Sequence, residues 1–148
     1  MRPTSILMRL SFALMVALVA AASSALAEQK SAVSAAESAA IREVISDQIA
    51  AFRRDDGPAA FGYASPGIRE MFGDAERFMD MVKSGYQPVY RPRHVEFGTI
   101  DEEDGSLAQH VWVTGPDGQD VEAVYYMERE PDGTWRINGC DLRKANDA

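Results

Sequence analysis

The sequence predicts an α+β domain in which the helices come first and the strands follow. Before Gly85, apolar residues recur at every third or fourth position, which is the spacing of one helix face. After Pro92 they recur at every second position, as in strands that bury one face. Turn-forming segments at residues 103–105, 115–118 and 131–133 divide this second half into four runs. The pattern favours helices packed on one face of a four-stranded antiparallel meander.

The first 27 residues have the three parts of a secretory signal peptide. Two arginines give a positive start, residues 10–18 are uncharged and apolar, and residues 25–27, Ala-Leu-Ala, fit a cleavage site before Glu28. An uncleaved anchor is the alternative, since the charge-free stretch of residues 10–27 is near the minimum of roughly 17–25 residues for a span. Its second half is mostly Ala and Ser, so we expect cleavage and a periplasmic or secreted protein with no membrane partner.

After cleavage the chain is acidic and contains one cysteine. Residues 28–148 hold 13 of the 15 Lys and Arg and all 23 Asp and Glu, which gives a formal charge of −10. This charge disfavours nucleic acid and anionic lipid as partners. Because Cys140 is alone, no intramolecular disulfide can form. The thiol is then a small buried hydrophobe, a reactive group or an intermolecular partner.

The sequence predicts four helices. Residues 28–33 form a polar, flexible leader, and Ser34 with Glu37 has the spacing of a capping box at the start of a long helix. Its apolar stripe ends where residues 55–58, Asp-Asp-Gly-Pro, stop the helix. Three shorter helices are expected: residues 58–63, then from Ser65-Pro66 to Phe72, then from Asp74 to Gly85.

Residues 85–92, Gly-Tyr-Gln-Pro-Val-Tyr-Arg-Pro, are predicted to be an extended crossover, which is either a lip over a pocket or a docking strip for a partner. Residues 34–142 then form one domain, followed by a tail at residues 143–148. The residues predicted to face the helices are Val95, Phe97, Val111, Val113, Val121, Ala123, Tyr125, Met127, Trp135 and Ile137. Those predicted on the outer face are His94, His110, Trp112, Val124, Tyr126, Arg136, Asn138 and Cys140.

Eight short segments carry a family resemblance: residues 49–52, 55–57, 61–66, 68–69, 71–73, 78–82, 85–92 and 135–140. They resemble an uncharacterised bacterial exported family known only as a domain of unknown function (family 4864 type). The order of the elements is similar to the cystatin-like cone of the SnoaL-like and nuclear-transport-factor-like superfamily. This resemblance implies a curved sheet with a pocket between its concave face and the helices. It implies no catalytic residue, and the fold alone does not choose a function.

Our first functional hypothesis is a non-enzymatic exported domain whose pocket binds a small apolar ligand or a protein partner. The predicted ligand-binding residues are Tyr63, Phe78, Tyr86, Tyr90, Tyr125 and Trp135. One alternative is an isomerase or dehydratase type of enzyme that uses a pocket carboxylate such as Asp141 with a tyrosine. Another is a structural envelope protein that forms a homodimer through the outer sheet face, where Trp112 and Tyr126 are expected.

No cofactor or metal is predicted. The sequence has no Gly-rich phosphate loop and no Gly-x-Ser-x-Gly motif. Its two histidines, His94 and His110, lack metal-ligand spacing.

Overall fold

The computed structural model describes residues 33–145. The predicted signal peptide, residues 28–32 of the leader and residues 146–148 of the tail lie outside this range. No helix within it is long and apolar enough to cross a membrane. The elements in order are α1 (Ala35–Arg53), α2 (Gly57–Gly62), α3 (Pro66–Phe72), α4 (Ala75–Gly85), α5 (Gln87–Tyr90), β1 (His94–Glu103), β2 (Ser106–Thr114), β3 (Asp120–Arg129) and β4 (Trp135–Lys144). The predicted α+β order is confirmed.

The long helix α1 begins at the predicted capping box. Ser34 Oγ accepts a hydrogen bond from the Glu37 amide at 3.2 Å, and Glu37 Oε2 accepts one from the Ser34 amide at 3.1 Å. Two amide groups at the open end of the helix are thereby satisfied. The apolar stripe of α1 is buried in successive turns of the helix, at Ile41, Ile45, Ile49 and Phe52.

The next three helices are also capped where the sequence indicates. Asp56, Ser65 and Asp74 each accept a hydrogen bond from the backbone amide three residues later, at 3.1, 3.2 and 2.9 Å. Proline then occupies the first or second position of α2 and α3, where a missing amide costs nothing. The helices therefore start within one residue of the predicted positions.

The crossover differs from the prediction, because residues 87–90 form the short helix α5 instead of an extended segment. Pro88 lies in the first turn of α5, where no intrahelical partner for its amide is needed. The amides of Tyr90 and Arg91 donate to the carbonyls of Tyr86 and Gln87, both at 3.0 Å. Pro88 thus lies at the start of a helical turn. The spacing of Pro88 and Pro92 in the sequence is compatible with both this turn and an extended chain.

The four strands form one antiparallel sheet in the order β1-β2-β3-β4, as the three turns predict. The register is irregular at two places, between Phe97 and Ile100 in β1 and opposite Tyr126 and Met127 in β4. At the first, the buried Gln109 donates from Nε2 to the carbonyls of Gly98 and Thr99 at 3.1 and 3.2 Å. Gln109 therefore satisfies backbone groups that the broken ladder leaves unpaired.

The second irregularity corrects the predicted assignment of faces in β4. Ile137 pairs with Met127 and Gly139 pairs with Tyr126, so Asn138 is an extra residue, as in a β-bulge. Beyond it, Cys140 lies directly opposite Tyr125 and therefore shares its face. The prediction of an outward-facing Cys140 is wrong, because strict alternation assumes a strand without an inserted residue.

Candidate ligand-binding pocket

A cavity of about 310 Å³ lies between the helices and the inner face of the sheet. The sheet contributes Tyr125 from β3 and Ile137, Gly139 and Cys140 from β4. Three of these lie around the Asn138 bulge, which turns Cys140 toward the cavity beside Tyr125. The bulge itself is held by a hydrogen bond of 2.7 Å from Ser65 Oγ to Asn138 Oδ1.

The helices supply a wall of apolar side chains. The lining residues from α1 to α5 and their connections are Gln48, Phe52, Ala64, Ile68, Met71, Phe72, Phe78, Met81, Val82, Tyr86 and Val89. Phe78 is the centre of an aromatic group, with ring centroids 6.3 Å from Phe52, 5.3 Å from Phe61 and 5.7 Å from Phe72. Rings packed at these distances and tilts attract one another. They give the cavity a wall built from several helices.

The connection between α2 and α3 is tied directly to the sheet. The Ser65 amide donates to the Ile137 carbonyl at 2.8 Å, and the Ile137 amide donates to the Tyr63 carbonyl at 2.9 Å. Ala64 therefore forms a parallel bridge with Ile137. This pairing places α3, with Ile68 and Met71, at the cavity wall.

Four lining residues carry polar side-chain atoms: Gln48, Tyr86, Tyr125 and Cys140. Gln48 is buried and donates from Nε2 to the Ala60 carbonyl at 3.1 Å. None of the residues that line the cavity in the described part of the chain is charged. The cavity is thus an apolar site with a few polar groups, which is the usual composition of a small-molecule pocket.

Tyr125 belongs to the cavity wall, but its hydroxyl group is enclosed by protein. The residue is only 1% exposed, and its Oη has no strong hydrogen-bond partner among residues 33–145, although it is within reach of the Cys140 thiol. Burial raises the pKa of Tyr125 well above its ordinary value, and the neighbouring Cys140 adds to that effect. Tyr125 is therefore a neutral phenol that can donate one hydrogen bond.

Cys140 is directly opposite Tyr125, and its thiol is protonated. Burial is the main cause that raises the pKa of Cys140 to about 12, and the negative charge of Asp141 raises it further. The residue as a whole remains partly exposed, because it belongs to the cavity wall. A thiol is a weak donor and a weak acceptor, so it does not replace a proper partner for the phenol.

The edge of the cavity includes Met71, which is 73% exposed, and the half-buried Tyr86. Tyr86 immediately precedes α5, and α5 is fixed to the end of α1 by Arg91. The Arg91 guanidinium lies 3.9 Å from the centroid of the Tyr90 ring, and its Nη2 is 2.9 Å from Asp55 Oδ2. Its Nη1 also donates to the Phe52 carbonyl at the C-terminal end of α1. These contacts hold the crossover against α1.

Three of the six predicted ligand-binding residues, Phe78, Tyr86 and Tyr125, lie in the cavity wall. The other three lie elsewhere in the domain. Tyr63 Oη is 3.5 Å from Asp47, the Tyr90 hydroxyl donates to Asp55, and Trp135 packs in the core with the Arg129 guanidinium 5.7 Å from its ring.

Sequence reasoning missed Gln48, Ile68, Met71 and Cys140 among the lining residues. The apolar spacing of Ile68 and Met71 marks them as residues of a helix face, but not as residues of a cavity.

Asp141, the carboxylate considered for a catalytic role, is exposed and lies on the opposite face of the sheet from Cys140. It accepts a hydrogen bond of 3.0 Å from the Tyr126 hydroxyl. No Asp or Glu in the described residues lines the cavity. The predicted convergence of Asp141 with the pocket tyrosines is therefore not what the structure shows.

The outer sheet face carries a network of charged groups around His110. Its Nε2 is 3.1 Å from Asp101 and 3.5 Å from Glu103, and its Nδ1 contacts Glu122. Burial opposes a charge on this imidazole, but the hydrogen bonds with Glu122 and Asp101 and their charges raise the pKa of His110 above its ordinary value. One ligand atom each of His110, Asp101 and Glu103 lies within 4.8 Å of the others, an arrangement that can hold a metal ion.

Protein groups already satisfy part of this network. Arg143 Nη2 is 2.8 Å from Glu103 Oε2, and the Tyr126 hydroxyl oxygen lies 3.2 Å from the same carboxylate oxygen. The hydrogen bond from Arg143 lowers the pKa of Glu103. The ion pairs of this network join all four strands.

Together, the fold and the cavity define a small α+β domain with an apolar pocket between its helices and one face of an antiparallel sheet. A family model described as "Domain of unknown function (DUF4864)" matches residues 34–148, and the chain belongs to that family. No curated protein and no solved structure matches the chain significantly.

Proposed function

We propose that this protein is a ligand-binding domain that takes a small, mainly apolar molecule into the cavity between its helices and its sheet. The observation that carries the proposal is the cavity itself, which has a volume of about 310 Å³ and no charged residue in its wall. Protein interiors are otherwise packed to the density of organic crystals. An apolar space of this size is costly to keep, and an apolar ligand would offset that cost.

The two alternatives receive less support from the geometry. An isomerase or dehydratase that uses a pocket carboxylate needs an acid in the cavity, whereas Asp141 lies on the other face of the sheet. A homodimer through the outer face would have to cover Trp112, which is 39% exposed, together with Asp101, Glu103 and Glu122. Removing these carboxylates from water and placing them against those of a second copy is unfavourable.

We also propose that the domain binds its ligand after export, in the periplasm or outside the cell, because residues 1–27 have the pattern of a signal peptide. Native mass spectrometry of protein purified from its own compartment tests both points. We expect a chain that begins at Glu28 and carries a bound molecule of low molecular mass.

A variant that fills the pocket gives the sharper test. Ile68→Trp places a large ring at the cavity wall, and Glu70→Trp places the same ring on an exposed position of the same helix. We expect the bound molecule to be lost from Ile68→Trp and kept by Glu70→Trp, with both variants folded by circular dichroism. Equal retention by the two variants would contradict binding in this cavity.

A further inference from the structure

We infer that the outer face of the sheet is a docking surface for a positively charged, arginine-containing segment of a partner protein, with Trp112 at its centre. This surface is separate from the proposed ligand-binding pocket, which lies on the other face of the sheet. The inference depends on the exposed ring of Trp112, on the carboxylates beside that ring and on the excess of negative charge across the face.

The first argument is the position of the Trp112 ring. Trp112 is 39% exposed, and it is one of two large hydrophobic side chains that are exposed in the described part of the chain. A Cβ atom added to Gly98 of the neighbouring strand would lie 3.5 Å from Trp112 Nε1. The indole therefore lies along the sheet surface at Gly98 and presents its remaining area to solvent. Tryptophan is enriched in protein interfaces relative to the rest of the surface.

The second argument is the chemistry beside the ring. In the sheet register, Glu96 of β1 and Glu122 of β3 lie opposite Trp112 on its two sides. Residues that are opposite one another in an antiparallel sheet have Cβ atoms about 5 Å apart and share a face. Glu96 is exposed and forms no ion pair within residues 33–145. A ring face and a carboxylate are the two groups that bind a guanidinium, one by stacking and the other by paired hydrogen bonds.

The third argument is the charge of the whole outer face. Seven acidic residues lie on it, whereas its arginines are Arg136 and Arg143. The acidic residues besides Glu96 and Glu122 are Asp101, Glu103, Asp120, Glu128 and Asp141. With neutral histidines, this excess of five negative charges on one face compares with a formal charge of −8 for the entire chain. The outer face therefore attracts cations and repels a second copy of itself.

The spread of these charges favours a chain segment as the occupant. Glu96 lies on β1 and Asp141 on β4, so the carboxylates extend across three strand spacings, or about 14 Å. Side chains two residues apart in an extended chain are about 7 Å apart. An extended segment with arginine at every second residue can therefore meet carboxylates across the whole face. A single ammonium group can pair only with carboxylates within about 4 Å.

The test is a titration of the ¹⁵N-labelled protein with a capped heptapeptide, Gly-Arg-Gly-Arg-Gly-Arg-Gly, followed by NMR. The chain has two tryptophans, so the indole signal of Trp112 reports on the outer face and that of the buried Trp135 is the internal reference. We expect the peptide to shift the Trp112 signal. The dissociation constant should rise when NaCl is raised from about 0.02 M to about 0.3 M, because salt screens exposed charges. A peptide with serine in place of arginine should produce no shift.

Matched variants locate the site. Glu96→Gln removes a carboxylate beside Trp112, and Glu43→Gln removes one from an exposed position of α1, so both change the net charge equally. We expect the dissociation constant of the arginine peptide, measured from the backbone amide signals of β2 and β3, to rise about threefold for Glu96→Gln. It should be unchanged for Glu43→Gln. Trp112→Leu should raise it about fivefold, because the contact between the cation and the ring is lost.

Three outcomes would overturn the docking surface. One is an arginine peptide that leaves the Trp112 indole signal in place. Another is an equal weakening by Glu43→Gln and Glu96→Gln, since the peptide would then respond only to net charge. The third uses maltohexaose as a neutral probe. A shift of the Trp112 signal by maltohexaose and not by the arginine peptide would mean that the face binds a carbohydrate.

Discussion

Cys140 shows how the position of one residue changes the chemistry that its sequence allows. As the single cysteine of the chain it could be a buried hydrophobe, a reactive thiol or an intermolecular partner. The bulge at Asn138 turns Cys140 inward beside Tyr125, and burial keeps its thiol protonated. The geometry therefore favours the first of the three roles.

A low reactivity of this thiol is the prediction that follows. With a pKa of about 12, Cys140 should react with iodoacetamide at pH 7.5 about a thousandfold more slowly than free cysteine, because only the thiolate is nucleophilic. The rate should keep rising above pH 9 for as long as the protein stays folded. The same protein in concentrated urea is the control and should react at the ordinary rate.

The shape of the pH profile distinguishes this cause from poor access of the reagent. Restricted access lowers the rate at every pH but leaves the half-maximal point near the ordinary pKa of a thiol. A plateau near pH 9 in the folded protein would therefore contradict the raised pKa.

At the scale of single residues, the sequence predicted only part of the pocket. Phe78, Tyr86 and Tyr125 were predicted as ligand-binding residues from their type and from the expected pocket, and they line the cavity. Tyr90 is of the same type, but its ring lies beneath Arg91 instead. Residue type gives the chemistry of a side chain, whereas its direction depends on contacts between elements that are distant in sequence.

At the scale of the elements, the starts of the first four helices were predictable because each start is a local event. A Ser or Asp side chain accepts a hydrogen bond from an amide three residues later, and no distant contact is needed. The crossover and the β4 bulge were not predictable in this way. The bulge depends on Ser65 reaching Asn138, which is 73 residues further along the chain.

Ser34→Ala tests the contribution of a cap to the whole domain. The change removes the side-chain acceptor of the Glu37 amide, so we expect the free energy of unfolding to fall by about 1 kcal/mol. Urea denaturation measures this difference. Ser46→Ala changes an exposed residue in the middle of α1 and should be neutral or slightly stabilising. An equal loss in both variants would show that the effect is not due to capping.

At the scale of the whole molecule, the two faces of the sheet have separate roles. The inner face forms the core and the floor of the cavity, and the outer face carries the network around His110. Alternation predicted most of this division, because residues of one strand that are two apart share a face. The partners within the network could not be predicted, since Asp101, Glu122 and Arg143 come from three different strands whose register the sequence does not specify.

The outer network predicts how the stability of the domain depends on pH. His110 faces Asp101 and Glu103 of β1 and Glu122 of β3, and Glu103 is paired with Arg143 of β4. Burial opposes the charged imidazole, but the hydrogen bonds and charges of Glu122 and Asp101 outweigh it and raise the pKa of His110 above 6.5 in the folded state. Protonated His110 therefore stabilises the fold, fully below pH 6.5 and progressively less as the pH rises through the folded pKa.

His110→Gln should remove this contribution. We expect the variant to be less stable than the natural protein at pH 5.5, and the difference in free energy of unfolding to become smaller at pH 7 and smaller again at pH 8.5. Urea denaturation at the three pH values measures the difference. His94→Gln replaces the other histidine, which is exposed at the start of β1, and should shift stability by a similar amount at all three values. A difference for His110→Gln that stays constant or grows toward pH 8.5 would mean that the neutral imidazole, not the charged one, supports the outer face.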